Sequence, residues 1–172
     1  MNEKNVVKVN ILDPIFTLKN FKEVLRYLVE IEFRPIISFQ MKFEIFYKQI
    51  SNDIELLNLF KLLNVELEFG LQSINRKVLA NVERTNDIKI IEEVINTLNL
   101  NSIDYEVSII RGLPGETVES FKELMKFIEH VKCKKYVVYQ LTLLSNTKLF
   151  NDKEILEIES FTQNGLEYVI ES

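Results

Sequence analysis

Residues 104–117 read DYEVSIIRGLPGET and join the pattern of a strand to a turn and the start of a helix. Apolar side chains occupy every second position from residue 105 to residue 109, the period of a half-buried strand. The two glycines and the proline that follow predict a turn, and Thr117 predicts the N-cap of the next helix. Because Ser120 stands where a capping box has glutamate or glutamine, we expect no reciprocal capping bond.

The same strand–helix unit recurs along the chain. Strand starts are separated by about 30 to 40 residues, and segments with helical spacing of apolar residues follow them. Serial units of this kind favour a parallel sheet with right-handed crossovers. A short helix near residues 152–159 and a last strand near residues 166–170 are also predicted. The five main predicted strands cover residues 6–12, 36–43, 65–71, 104–110 and 136–144.

The predicted strands are polar on one face, as Glu66 and Glu68 show in the third strand. Connecting helices must pack on the apolar face, so the polar face would line a barrel lumen or an open cleft. Carboxylates buried there without partners would be costly, and a wet or ligand-filled lumen removes that cost. The alternative is a two-layer sheet with one face in solvent.

Composition excludes several classes of protein. The chain has 172 residues, 47% of them hydrophobic, and a formal net charge of −5, which argues against a protein that coats nucleic acid. Cys133 and His130 are the only residues of their types, so neither an internal disulfide nor a four-ligand site built from cysteine and histidine is available. No apolar run reaches about 18 residues, and the N-terminus lacks a signal-peptide pattern, so a cytoplasmic protein without a membrane span is expected.

Three segments in order resemble the radical S-adenosylmethionine (SAM) superfamily. They are ILDPIF at residues 11–16, ELEFGLQSIN at residues 66–75 with Arg84-Thr85 after it, and IIRGLPGET at residues 109–117. The pattern is similar to members with a cobalamin-binding domain and to methylthiotransferase and coproporphyrinogen-dehydrogenase-like branches. Residues 141–149, LTLLSNTKL, resemble the segment after the family's sixth strand, with Ser-Asn-Thr where the family has Pro-Gly-Thr.

The resemblance implies an α/β fold, a partial (β/α)6 TIM-like barrel with parallel strands from which the first βα unit is absent. Residues 1–150 would form a truncated radical SAM core domain, and residues 151–172 a C-terminal extension packed on it. SAM would bind at the C-terminal ends of the strands, where barrel enzymes place their chemistry. The implied cofactor-binding residues are Asp13, Pro14, Gln72, Ser73, Asn75, Arg84, Ser108, Ile110 and Gly112.

Each of these residues has an implied role and a structural alternative. Asp13 and Pro14 match positions near the methionyl amino group, or they form a strand-ending turn. Gln72, Ser73 and Asn75 match polar groups that reach the ribose or the carboxylate, and Gln72 and Ser73 could instead serve as turn or capping residues.

Arg84 matches an arginine that pairs with the SAM carboxylate, for which a fork of donors is well suited. Its alternative is a solvated charge beside Glu83. The backbone of residues 108–114 matches the segment that lies against adenine, although Ser108 replaces the acidic residue common there. Gly112 could serve turn geometry alone.

The resemblance also implies a [4Fe–4S] cluster held by a Cys-x3-Cys-x2-Cys loop, and a single cysteine cannot provide it. The chain is then either a fragment whose cysteine loop lies in missing upstream sequence or a degenerate relative without a cluster. The fragment would be the SAM-binding portion of an enzyme that cleaves SAM reductively to a 5′-deoxyadenosyl radical. The degenerate relative would be a binding or scaffold module, and in both cases we expect the chain alone to be inactive.

An unrelated (β/α) enzyme is a third hypothesis, disfavoured because the fifth predicted strand has no lysine and no late loop is glycine-rich. The expected partners are SAM and a substrate that the sequence does not identify. A partial barrel without its first unit exposes a strand edge and apolar surface, so self-association through that edge is expected.

Overall fold

The computed structural model describes residues 6–11 and 18–171. Its strands are β1 (Lys8–Ile11), β2 (Ile36–Met41), β3 (Val65–Gln72), β4 (Asp104–Arg111), β5 (Tyr136–Gln140), β6 (Thr142–Leu143), β7 (Glu159–Gln163) and β8 (Leu166–Glu171). Its helices are α1 (Leu18–Glu30), α2 (Phe43–Gln49), α3 (Ile54–Leu62), α4 (Arg76–Asn81), α5 (Ile88–Asn101), α6 (Val118–His130) and α7 (Lys148–Asn151).

Five strands form one parallel sheet in chain order, β1-β2-β3-β4-β5. Lys8 pairs with Ile36, and Ile37 pairs with Val65, so each new strand adds beside the previous one. This order confirms the α/β fold with parallel strands. A second sheet, β6-β8-β7, is antiparallel.

The alternation in β3 confirms that one face of this strand is polar. Its apolar positions, such as Leu67 and Phe69, are buried, whereas Glu66 and Glu68 are partly exposed. Lys8 Nζ lies 2.5 Å from Glu66 Oε2, so this carboxylate has a cationic partner from β1 on the same face of the sheet. The ion pair offsets the free-energy cost of partly removing the Glu66 carboxylate from water.

Three predicted boundaries were wrong. The fifth strand, predicted over residues 136–144, ends at Gln140, and β6 at Thr142–Leu143 pairs in the second sheet instead. The second strand ends at Met41, and Phe43 begins α2, because Phe43 and Phe46 are both buried on one side of a helix. The predicted helix near residues 152–159 is also misplaced, since α7 ends at Asn151 and β7 begins at Glu159. Asn164-Gly165 lies between β7 and β8, and both residues have positive φ, 54° and 79°, as a type I′ hairpin turn requires.

The prediction of no reciprocal capping bond was wrong as well. Thr117 Oγ1 accepts a hydrogen bond from the backbone N–H of Ser120 at 3.1 Å. Ser120 Oγ in turn accepts from the backbone N–H of Thr117 at 2.9 Å. The hydroxyl of serine therefore satisfies the donor that glutamate satisfies in the usual motif, and α6 begins with a complete capping box.

The chain divides into two compact units. The first comprises Met1–Gly70 and Asp87–Val107. Its core is rich in phenylalanine: the ring of Phe39 contacts those of Phe21 and Phe60 edge to face, at centroid distances of 5.6 and 5.7 Å. Burial of such aromatic side chains supplies much of the stability of a small core.

The second unit comprises Leu71–Asn86 and Ser108–Ser172. Except for Asp13 and Pro14, all the predicted cofactor-binding residues belong to this unit. None of the helices in the described ranges is long and apolar enough to cross a membrane. One cluster of buried side chains in the second unit contains Val78, Leu113, Leu141, Leu143, Ile158 and Val169.

Candidate functional site

Gln72 and Arg84 meet at the C-terminal end of β3. Gln72 is the last residue of the strand and has φ of +58°, a left-handed conformation that costs glutamine about 1 kcal/mol or more. Arg84 Nη1 donates a hydrogen bond to Gln72 Oε1 at 3.1 Å. Two residues predicted to face SAM are therefore in direct contact, and backbone strain is located at the same point.

Most of the donor capacity of Arg84 remains available among the described residues. A guanidinium has five N–H donors, and one of them serves Gln72. The neighbouring Glu83 pairs with Lys148, and this hydrogen bond lowers the pKa of the Glu83 carboxyl. The exposed Arg84 thus presents a fork of donors beside a strand end.

Ser73 and Asn75 build the turn that follows Gln72. Ser73 is 1% exposed, and its Oγ accepts from the backbone N–H of Asn75 at 3.2 Å. Asn75 Oδ1 accepts from the N–H groups of Lys77 and Val78 and so caps α4. Both side chains therefore form hydrogen bonds within the turn and to the start of α4. Their roles toward SAM stay predictions.

The remaining predicted residues lie on the end of β4 and the loop after it. Ser108 is buried, Ile110 is half-buried, and Gly112 has φ of +82°. Asn81 Nδ2, from the end of α4, donates to Pro114 O at 2.8 Å. Through this bond the loop after β4 is tied to the helix that follows the loop after β3.

Glu116 was not among the residues predicted for the site. Its Oε2 accepts from the backbone N–H of Gly112 at 2.8 Å, and its Oε1 is buried without a hydrogen-bond partner among the described residues. Burial raises the pKa of the Glu116 carboxyl, although the N–H of Gly112 and the charge of Arg111 oppose this shift. Glu116 directly follows the Gly-Leu-Pro-Gly turn, and the backbone N–H of Gly112 in this turn points toward its carboxylate. This position was the sequence signal that could have identified Glu116.

Replacing this carboxylate by an amide is expected to change how stability depends on pH. The raised pKa means that the folded state binds the proton of Glu116 more tightly than the unfolded state. This residue's contribution to stability therefore falls as the pH rises from its ordinary pKa of 4.5 through the raised folded value. Urea unfolding at about pH 4 and about pH 8 should show Glu116→Gln gaining stability relative to wild type at the higher pH.

Glu123→Gln, an exposed carboxylate on α6, is the control for the loss of one charge. A stability difference between wild type and Glu116→Gln that is the same at both pH values would contradict the buried carboxylate's role in this loop.

Asp13 and Pro14 lie outside the described residues. Within the described ranges, no group of three or more histidine, cysteine, aspartate or glutamate side chains is placed to hold a metal ion. Cys133 lies far along the chain from both loops, and its Sγ donates to Lys135 O at 3.4 Å. The arrangement can therefore bind an anionic or polar group, but the described side chains supply no metal site.

Comparison with known proteins shows the family. The Radical SAM superfamily model matches residues 2–128. The ribosomal protein uS12 methylthiotransferase RimO of Leptospira biflexa is 32% identical over 97 residues, which are 52% of this chain and 22% of that protein. RimO of Clostridium kluyveri is 33% identical over 90 residues, 51% of this chain and 20% of that protein. The chain thus spans about a fifth of the length of these relatives.

Two solved structures share the fold. The radical SAM methyltransferase TsrM of Kitasatospora setae, with cobalamin and a [4Fe–4S] cluster bound, superimposes with a TM-score of 0.69 at 16% identity, over 92% of this chain and 34% of TsrM. The radical SAM enzyme HemN of Escherichia coli, a coproporphyrinogen III oxidase, gives a TM-score of 0.50 at 21% identity, over 71% of this chain and 27% of HemN. Residues 2–128 are more than half of the 172 residues of the chain, and a match of this extent shows the family. The chain belongs to the radical SAM superfamily.

Proposed function

We propose that the loops after β3 and β4 form a SAM-binding site in which Arg84 binds the carboxylate of SAM. The observation that carries this proposal is the Arg84–Gln72 hydrogen bond at the C-terminal end of a parallel strand. Ligands of α/β sheets bind beyond the C-terminal ends of the strands, where loops from neighbouring strands converge. Membership of the radical SAM superfamily supports SAM as the ligand.

The donor set fits SAM. The guanidinium of Arg84 matches a carboxylate in charge and in the spacing of its donors. The carboxamide of Gln72 offers a donor and an acceptor, which suits the hydroxyls of a ribose. Residues 108–112 lie at the C-terminal end of β4, the end of the sheet where we expect the adenine to bind. In this family SAM supplies a 5′-deoxyadenosyl radical when it is bound to a reduced cluster.

A [4Fe–4S] cluster does not fit the residues of this chain. Ligation of the kind that the family uses requires three thiolates, and the sequence contains one cysteine. We therefore infer that the chain is the SAM-binding portion of a radical SAM enzyme and that other sequence supplies the cysteine loop. The short coverage of its relatives, about a fifth of their length, supports this interpretation.

The single cysteine also favours a second candidate function, a binding or scaffold module that has lost the cluster. The two candidates share the SAM site and differ in the cysteine loop. A reading frame encoding Cys-x3-Cys-x2-Cys immediately upstream of Met1 would support the enzyme, and its absence from an intact locus would support the module.

Arg84→Ala is expected to weaken SAM binding by about tenfold to a hundredfold, because a charge-assisted hydrogen bond contributes about 1.5–3 kcal/mol. Arg84→Lys keeps the charge but loses the fork, so an intermediate affinity is expected. Equilibrium dialysis of the full chain with radiolabelled SAM measures both. Arg76→Ala, an exposed arginine at the start of α4, is the matched control.

No SAM binding by the wild-type chain would overturn the proposal. Equal affinities of the Arg84→Ala and Arg76→Ala proteins would remove Arg84 from the site while leaving SAM binding intact.

A further inference from the structure

The hairpin formed by β7 and β8 has an apolar outer face. Leu166, Tyr168 and Ile170 alternate along β8 and therefore share one face. Phe161 pairs with Tyr168 across the hairpin, and their rings stack at a centroid distance of 5.5 Å. The intervening Val169 points to the opposite face, where it is 1% exposed within the core of the second unit.

This outer face is open to solvent in the described part of the chain. Leu166 is 44%, Phe161 45% and Ile170 61% exposed. Isolated exposed apolar residues are common, but a contiguous set on one sheet face usually marks an interaction surface. We call this set of Phe161, Leu166, Tyr168 and Ile170 the hairpin face.

The charge around the hairpin face is strongly negative. Between residues 152 and 172 the sequence has six acidic residues and one lysine, so this segment carries the whole formal net charge of −5. The lysine, Lys153, is already paired with Glu167 at 3.0 Å. The exposed Glu154, Glu157 and Glu159 have no ionic partner among the described residues.

Two of these carboxylates also line a cleft. Glu157 and Glu159 line a cleft of about 510 Å³, together with Asn81 and Gly115. Glu159 begins β7 and lies two residues before Phe161, so the cleft and the hairpin face adjoin along one strand. A long side chain with a cationic end would place its charge between the carboxylates and its methylene groups against Ile155 and Leu156, which also line the cleft.

The negative charge around the hairpin face determines which kinds of molecule can bind there. A second copy of the chain would bring the same carboxylates together, and like charges facing each other are unfavourable. Anionic lipid surfaces and nucleic acids would be repelled for the same reason. An occupant that satisfies both the carboxylates and the apolar side chains must be cationic and partly apolar.

We propose that the hairpin face and the adjoining cleft form a docking surface for a basic polypeptide segment. Lysine or arginine of the partner enters the cleft beside Glu157 and Glu159, and apolar side chains of the partner cover Phe161 and Ile170. Gln72 and Arg84 do not line the cleft, whereas Pro114 and Gly115 of the loop after β4 do. The proposal does not require SAM to be bound.

Fluorescence anisotropy with a short labelled peptide of alternating lysine and leucine tests this surface in the full chain. We expect this peptide to bind and a Glu-Leu peptide or a Lys-Ser peptide of the same length to bind at least about tenfold more weakly. Charge reversal by Glu157→Lys with Glu159→Lys, and removal of apolar area by Phe161→Ser with Ile170→Ser, should each weaken binding by about tenfold or more. The charge-reversed chain should bind the Glu-Leu peptide better than wild type does.

Glu93→Lys and Leu100→Ser, both at exposed positions on α5, are the matched controls and should change the affinity less than about twofold. Melting curves establish that each variant is folded. Equal losses in the control variants would show non-specific attraction and overturn the proposal. A dimer in sedimentation equilibrium that Phe161→Ser with Ile170→Ser abolishes would assign the surface to a second copy, and preferred binding of an RNA oligonucleotide would also overturn it.

Discussion

Phe69→Ala is expected to lower the free energy of unfolding by about 3–5 kcal/mol, the largest loss of stability that we predict for one substitution. Phe69 is fully buried in the middle of β3. Its ring stacks on Phe43 at 4.6 Å and meets Phe46 edge to face at 5.9 Å. Alanine would remove these contacts and leave a cavity that rigid neighbours fill only in part.

Urea unfolding followed by far-UV circular dichroism measures this loss. Phe69→Leu keeps most of the buried volume and is expected to cost about 1.5 kcal/mol, so it gives a measurable value if the alanine variant does not fold. Leu100→Ala, at an exposed position of α5, should change stability by less than about 0.5 kcal/mol. A loss below about 1 kcal/mol for Phe69→Ala would contradict the packing described for β3.

The parallel sheet could be predicted because its signal is repeated and local. Alternating burial in β3 and capping residues such as Thr117 follow from spacing that the sequence displays directly. The end of β2 was missed because Met41 and Phe43 fit the period of a strand, while Phe43 and Phe46 equally fit one face of a helix. Which period applies depends on tertiary contacts, here the stacking of Phe43 on Phe69.

The contacts within the candidate site could not be predicted from the sequence. The resemblance pointed to Gln72 and Arg84, yet nothing in the sequence shows that they meet or that Gln72 adopts a left-handed conformation. The buried carboxylate of Glu116 was hidden for a similar reason, since its partner, the N–H of Gly112, is a backbone group. The Asn164-Gly165 turn, in contrast, has a local sequence signal, since Asn-Gly between two apolar runs favours a two-residue hairpin loop.

Gly112→Ala is expected to lower the free energy of unfolding by about 2–4 kcal/mol and to disturb the loop after β4, which belongs to the proposed SAM site. The φ of +82° is unfavourable for alanine by about 1–2 kcal/mol. A Cβ at this position would also lie 3.0 Å from Gln140 Nε2, which cannot move freely because it donates to Val169 O at 2.6 Å. Crowding of this kind adds about 1–2 kcal/mol, the lower part of the usual cost of overpacking.

Gly165→Ala separates the two contributions, because Gly165 has almost the same φ, +79°, and no atom within 4 Å of the added Cβ. Gly165→Ala should therefore lower the free energy of unfolding only by the cost of the left-handed backbone, about 1–2 kcal/mol. Gly112→Ala should lower it by more, because the added Cβ is also crowded. In a double-mutant cycle, Gln140→Ala should relieve part of the cost of Gly112→Ala, because it removes the group that the Cβ meets. Equal losses for the two glycine substitutions, or strict additivity with Gln140→Ala, would show that the loop after β4 is not held against β5.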